Sequence, residues 1–136
     1  MHQDGITQYW NLGPSWFSTA IKLLVILAEE EELVSSMTLA EKLGVESSFI
    51  RKVMAKLMND NLVEGFGGRY GGYKLVANPA ETTIYDVYVA LTKDTYIKEQ
   101  ALPANKIDRF ISKILAESEG HFSEVLGKYT IADILK

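Results

Sequence analysis

Two short helical stretches joined across a glycine, a glycine-rich hairpin directly after them, and a long amphipathic segment near the C-terminus predict the fold class. It is mainly α: a winged helix-turn-helix with a small two-stranded β wing and a long C-terminal dimerisation helix. The chain of 136 residues is 47% hydrophobic and 24% charged, a globular composition sized for one domain or a domain with an appendage.

Ser15 is placed to cap a helix beginning near Trp16, because its hydroxyl accepts from an otherwise unpaired first-turn amide. Phe17, Ala20, Ile21, Leu24, Val25, Leu27 and Ala28 keep helical spacing around most of the circumference, so that helix is buried on more than one side. Glu29 to Glu32 sit badly against a helix C-terminal dipole and read as a solvated loop. Ser35 caps a second helix over Ser36 to Leu43, and Gly44 takes the positive φ that ends it. A third helix carries Phe49, Ile50, Val53, Met54 and Leu57 on its apolar face and stops at Asn59-Asp60-Asn61. Leu62 to Phe66 and Tyr73 to Val76 read as strands flanking the tip Gly67 to Gly72, which places a wing after the helix pair. Thr83 caps a short helix from Ile84 to Thr92, and Pro103 closes an indistinct stretch. A long helix is expected from about Asn105 to Tyr129, with Gly120 as a weak point, and Thr130 caps a last turn holding Ile131, Ile134 and Leu135. Twenty-five helical residues would extend about 37 Å, more than a small winged helix covers. Ile107, Phe110, Ile111, Ile114, Leu115 and Phe122 are therefore the candidate dimerisation residues. The expected division is 1–78 for the winged helix-turn-helix and 79–136 for the helical dimerisation region.

The chain has no cysteine, which removes disulfides, thiolate zinc sites, cysteine-held iron–sulfur clusters and cysteine nucleophiles. Of its two histidines, His2 is terminal, and His121 shares a helix face with Glu117 and Glu124 without a further ligand. Asp108, Glu117, Glu119 and Glu124 form a solvent face, and nowhere does a nucleophile stand with a base. No catalytic residue, metal ligand set or cofactor is assigned, and the chain reads as a non-enzyme. The longest apolar run, Ala20 to Ala28, is interrupted by Lys22 and falls short of the roughly 20 residues a membrane span needs. Met1 to Tyr9 lacks the basic start of a signal peptide, so the expected location is the cytoplasm, with no membrane partner. Gly67 to Gly72 runs into a strand rather than a helix, which makes it a hairpin tip and not a phosphate cradle.

The third helix carries Ser47, Ser48, Arg51, Lys52 and Lys56, and the hairpin adds Arg69, Tyr70 and Lys74. From Glu46 to Leu75, five basic residues (Arg51, Lys52, Lys56, Arg69, Lys74) against three acidic ones (Glu46, Asp60, Glu64) give +2 inside a chain of net charge −4. Early residues of the second helix of such a pair meet base edges and later ones reach phosphates, so these eight are the candidate DNA-binding residues and double-stranded DNA the expected partner.

Several segments share a pattern. Ser35 precedes Leu39-Ala40-Glu41-Lys42-Leu43-Gly44-Val45; Phe49-Ile50-Arg51-Lys52-Val53-Met54 is followed by Leu57 and Leu62-Val63. Gly68 precedes Gly71-Gly72-Tyr73-Lys74-Leu75, and Thr83-Ile84-Tyr85-Asp86-Val87 precedes Ala90. From Val34 to Ala90 these segments resemble the Rrf-two family of bacterial winged-helix regulators, with Trp16 to Ala28 and Tyr129 to Leu135 matching more loosely. The resemblance implies a dimeric transcription regulator whose recognition helix, wing and helix into the dimerisation region are those segments. Iron–sulfur members carry three cysteines in the loop before the long helix; Thr92 to Pro103 has none, so no cluster is carried over. Gly67 stands where the family has an arginine before the first wing glycine, with Arg69 close by, and Asp60-Asn61 replaces the usual Ala-Gly.

The resulting expectation is a homodimeric, cytoplasmic DNA-binding repressor without an iron–sulfur cluster. Two other classes stay open: a winged-helix module that binds protein, in keeping with the acidic pI of 5.2, and a regulator sensing a small-molecule effector of unidentified chemistry beside Trp16, Tyr88 and Tyr96.

Overall fold

A computed structural model of the chain describes residues 13–98 and 105–136, with side chains described over 15–93 and 105–136. In chain order the elements are α1 (Gly13–Ala28), α2 (Ser36–Leu43), α3 (Ser47–Asn59), β1 (Val63–Phe66), β2 (Gly72–Leu75), α4 (Ile84–Lys98), α5 (Lys106–Leu126) and α6 (Ile131–Leu135). Met1 to Tyr9 and the expected break at Pro103 lie outside the described residues.

The local signals act where expected. The Ser35 hydroxyl accepts from the Thr38 amide at 3.1 Å, and Gly44 ends α2 at φ 68°, in the left-handed region glycine enters without a Cβ clash. Asn61 takes φ 60° after α3. Glu29 to Glu32 are exposed beyond the last turn of α1. Strands β1 and β2 pair antiparallel, with Val63 opposite Leu75 and Phe66 opposite Gly72. Val34 extends the hairpin by an isolated bridge to Tyr73. A Cβ on Gly72 would stand 2.7 Å from the Val34 carbonyl oxygen, so a glycine is required at this approach.

Several boundaries differ from expectation. Helix α1 already runs from Gly13, which puts Ser15 inside its first turn rather than at its cap. Helix α4 continues to Lys98 instead of stopping at Thr92: no Gly or Pro follows to break the turn, and the Thr92 hydroxyl meets its hydrogen-bonding need within the helix, donating to the Tyr88 carbonyl at 2.8 Å. Helix α5 passes through Gly120 and ends at Leu126, three residues early.

One buried core holds Ala20, Leu23, Leu24 and Leu27 from α1, Leu39 from α2, Ile50, Val53, Met54 and Leu57 from α3, and Val63 from the wing. The same core takes Ile84, Val87, Ala90 and Leu91 of α4 and Ile131 of α6. The last helix is stitched to the segment before α4: Ile84 N–H donates to Tyr129 O (2.9 Å), Ile131 N–H to Thr82 O (3.0 Å) and Ala132 N–H to Pro79 O (2.9 Å). Packing therefore runs continuously across residue 78. Helix α5 is the exception, an arm of 21 residues that buries none of them.

Candidate nucleic-acid interface

The apolar stripe of α3 turns Ile50, Val53, Met54 and Leu57 inward, and helical geometry then presents Ser48, Arg51 and Lys52 to solvent, with Ser47 and Lys56 half-exposed. The Arg51 guanidinium lies 3.5 Å from the Ser47 hydroxyl one turn earlier, at the outer limit of a hydrogen bond. Lys56 is set apart: its Nζ sits 5.9 Å from the ring of Trp16, which packs edge-on against Phe49 at 5.1 Å. Its charge leans back over the Trp16 ring of α1.

The wing holds the other three candidates. Tyr70 is 85% exposed at the tip, and the Arg69 guanidinium carbon lies 5.7 Å from its ring. Lys74 Nζ stands 5.4 Å over the half-exposed ring of Phe66, with Glu64 as its cross-strand partner. The tip is tightly made, since a Cβ on Gly71 would fall 2.1 Å from the Phe66 carbonyl oxygen. A shallow groove of about 400 Å³ runs between Ser35 and Ser36 at the start of α2 and the wing residues Gly65 to Tyr73.

Of the candidate dimerisation residues, Ile107, Phe110, Ile111, Ile114 and Leu115 are exposed on α5, whereas Phe122 is half-buried and meets the Tyr88 ring edge-on at 4.8 Å. Tyr88 also contacts Phe17 and Tyr85. Trp16 thus packs on Phe49, and Tyr88 on Phe17, Tyr85 and Phe122; the side chain of Tyr96 lies outside those described.

Two features escaped sequence reasoning. Lys93 of α4 reaches Asp60, at the exit of α3, with 3.1 Å between Nζ and Oδ1. Glu46 occupies the N-cap position of α3 yet makes no capping bond with its side chain. The weak capping propensity of Glu is a sequence-level signal for the second; the first joins residues 33 apart and has none.

A helix-turn-helix with a basic outer face, followed by a hairpin that carries its own cations, defines a winged-helix DNA-binding protein. The Rrf2 family model, described as an iron-dependent transcriptional regulator, matches residues 15–136, and the chain belongs to that family. It is similar to protein aau3 of Rhizobium meliloti (strain 1021), 32% identical over 124 residues that cover 86% of this chain and 80% of that protein. It is also similar to the HTH-type transcriptional regulator NsrR of Bacillus subtilis (strain 168), 30% identical over 125 residues covering 86% and 85% of the two chains. Among solved structures, one from Lactobacillus plantarum matches with TM-score 0.72 at 23% identity, covering 88% of this chain and 87% of that one. Staphylococcus aureus CymR matches with TM-score 0.62 at 18% identity, covering 86% and 92%. These structural likenesses bear on the winged-helix fold. The family is one of DNA-binding transcriptional regulators, not enzymes.

The family description names iron, and the donors of this chain do not fit it. Cysteine is absent from the sequence, and among the described residues no three His, Asp or Glu side chains come together around a metal position. His121 Nδ1 lies 3.9 Å from Glu124 Oε2 with both side chains in solvent. A cysteine-held iron–sulfur cluster has no thiolate in this sequence, and among the described residues no ligand set for a mononuclear iron centre comes together. Among the described residues no helix is long and apolar enough to cross a membrane.

Proposed function

We propose that the chain is a homodimeric, cytoplasmic repressor that binds double-stranded DNA through α3 and the wing and pairs with a second copy through α5. The observation that carries the dimer is the unburied face of α5. A helix of about 32 Å holds Ile107, Phe110, Ile111, Ile114 and Leu115 between 46 and 71% exposed. A stripe of that length left in water is unfavourable, and a second α5 covers it with like residues. Phe122, further along the helix, is where the arm meets Tyr88.

Residues 1–78 then supply the DNA contacts and 79–136 the dimer contacts, while α4 and α6 tie both halves into one core. Ser47, Ser48, Arg51 and Lys52 face base edges or nearby phosphates, Lys56 and Lys74 flank the backbone, and Arg69 with Tyr70 reaches out from the wing tip. Two α3 helices in a pair meet successive major-groove faces about one helical turn apart. Bound at a promoter, the dimer excludes the transcribing enzyme, and a signal that alters dimer geometry relieves the block.

Sequencing the genomic fragments that the purified protein retains, across a salt series, tests this reading. Enrichment of a two-half-site sequence whose retention falls with salt supports it. Salt-independent retention of a protein, without DNA, replaces it with the protein-interaction reading.

A further inference from the structure

The residue that opens α3 has a fixed backbone and an uncommitted side chain. Glu46 is extended (φ −72°, ψ 141°), and its carbonyl accepts from the amides of Phe49 at 3.1 Å and Ile50 at 3.2 Å. Its carboxylate, however, caps nothing, although the first-turn amides of α3 stand next to it. Ser, Asn or Asp at this position would stabilise the helix, and a glutamate side chain is one methylene too long to close that bond well. The space beside it is open: a notch of about 430 Å³ lies between Met37 and Glu41 of α2, Val45, Glu46 and Ser47. Met37, at 68% exposure, gives that notch an apolar wall.

We infer that Glu46 is a base-selecting residue, accepting a hydrogen bond from the exocyclic amine of a cytosine in the major groove. The inference rests on the reading that α3 enters that groove. A carboxylate there is repelled by the phosphates on either side, so it lowers affinity for DNA in general. It recovers that loss only opposite a base that donates, and cytosine N4 is the donor suited to Glu. Guanine O6 and thymine O4 present acceptors, which a carboxylate rejects. Arg51 and Lys52, one turn further along α3, hold the helix to the duplex while Glu46 filters the sequence beside them.

Glutamate at a helix start also meets a favourable dipole, so the test must separate a base contact from a purely structural role. Random duplexes are selected with wild type, Glu46→Gln, Glu46→Ser and the neighbouring control Glu41→Gln, and affinities for the enriched and a scrambled duplex are measured by fluorescence anisotropy alongside thermal melting. Wild type should enrich cytosine at one position of each half-site. Glu46→Gln should shift that position toward adenine, whose N6 and N7 suit an amide. Glu46→Ser should relax it by about tenfold in the affinity ratio while raising the melting temperature. Both Glu46 variants should bind the scrambled duplex more tightly than wild type, and Glu41→Gln should keep the wild-type profile. If the Glu46 variants alter melting but keep the wild-type base profile, Glu46 is structural and the inference fails with the DNA reading intact. If wild type retains no duplex at all, the DNA reading fails and takes this inference with it.

Discussion

Arg51 and Arg69 carry the same charge in different settings, and the setting predicts what each loss does. Arg51 stands on a rigid helix one turn from its start, with Ser47 beneath it. A side chain so held discriminates between bases, at about 1–3 kcal/mol per good bidentate contact. Arg51→Ala should therefore reduce the ratio of specific to nonspecific affinity by tenfold or more on a selected operator. Arg69 stands at the hairpin tip against Tyr70, where, in the proposed binding mode, a phosphate contact outweighs base readout. Arg69→Ala should weaken binding to operator and scrambled duplex alike and flatten the salt dependence by roughly one phosphate's worth of counterion release. Gly71→Val drives a Cβ toward the Phe66 carbonyl, at 2.1 Å in the present backbone, and must open the tip. It should reproduce the wing defect while the helical circular dichroism stays as in wild type. All three substitutions leaving both duplexes unaffected would remove DNA from this surface.

At the scale of elements, α5 and α6 behave oppositely although they are adjacent in the chain. The apolar face of α5 is open to solvent; on the proposed pairing, Ile111→Glu with Leu115→Glu places two ionised groups in the dimer interface and should yield monomers in sedimentation. A wild-type protein that sediments as a monomer at micromolar concentration overturns the dimer. Helix α6 instead is held by this molecule's own core and carries its own cap. The Thr130 hydroxyl accepts from the Asp133 amide at 3.2 Å, and Asp133 accepts from the Thr130 amide at 2.8 Å. Thr130→Ala should cost about 1 kcal/mol in urea unfolding, the usual worth of such a cap. The Thr130 backbone N–H, ahead of the Thr130 hydroxyl and Lys136, holds the Asp133 carboxyl below its ordinary value. A depressed carboxylate pKa stabilises the fold above the unfolded value and loses that contribution as pH falls through the folded one. Stability should thus decline on acidification below about pH 4, and Asp133→Asn should flatten that limb.

For the whole molecule, the distribution of charge matters more than its sum. A net charge of −4 would discourage contact with DNA if it were spread evenly, but the helix-turn-helix exit and wing hold a local excess of cations. Binding should accordingly be steeply salt-dependent despite the acidic composition. The missing thiolates make a second prediction at this scale: incubation with ferrous iron and sulfide, followed by desalting, should leave the protein colourless and without stoichiometric iron. A stable visible chromophore with bound iron would show that ligands other than cysteine assemble here. A colourless, iron-free protein would mean that any signal it answers acts other than through cluster chemistry.

What was legible in the sequence is what a few neighbouring residues decide. Ser35, Gly44, Asn61, Thr83 and Thr130 act on backbone three or four positions away, so the helix pair, the wing and the final turn could be placed from local chemistry together with the spacing of apolar residues. The absence of cysteine is likewise read from the sequence alone, and it removes cysteine-held clusters. Spacing states which face of a helix is apolar but not what covers it, and there the tertiary structure decided. It set Lys56 against Trp16 and Phe122 against Tyr88, tied Lys93 to Asp60, and returned α6 to the core that α1, α3 and α4 share. Those contacts join residues tens of positions apart, and they form only once the chain has closed into one packed body. The same closure left α5 outside that body, with its apolar stripe still facing water.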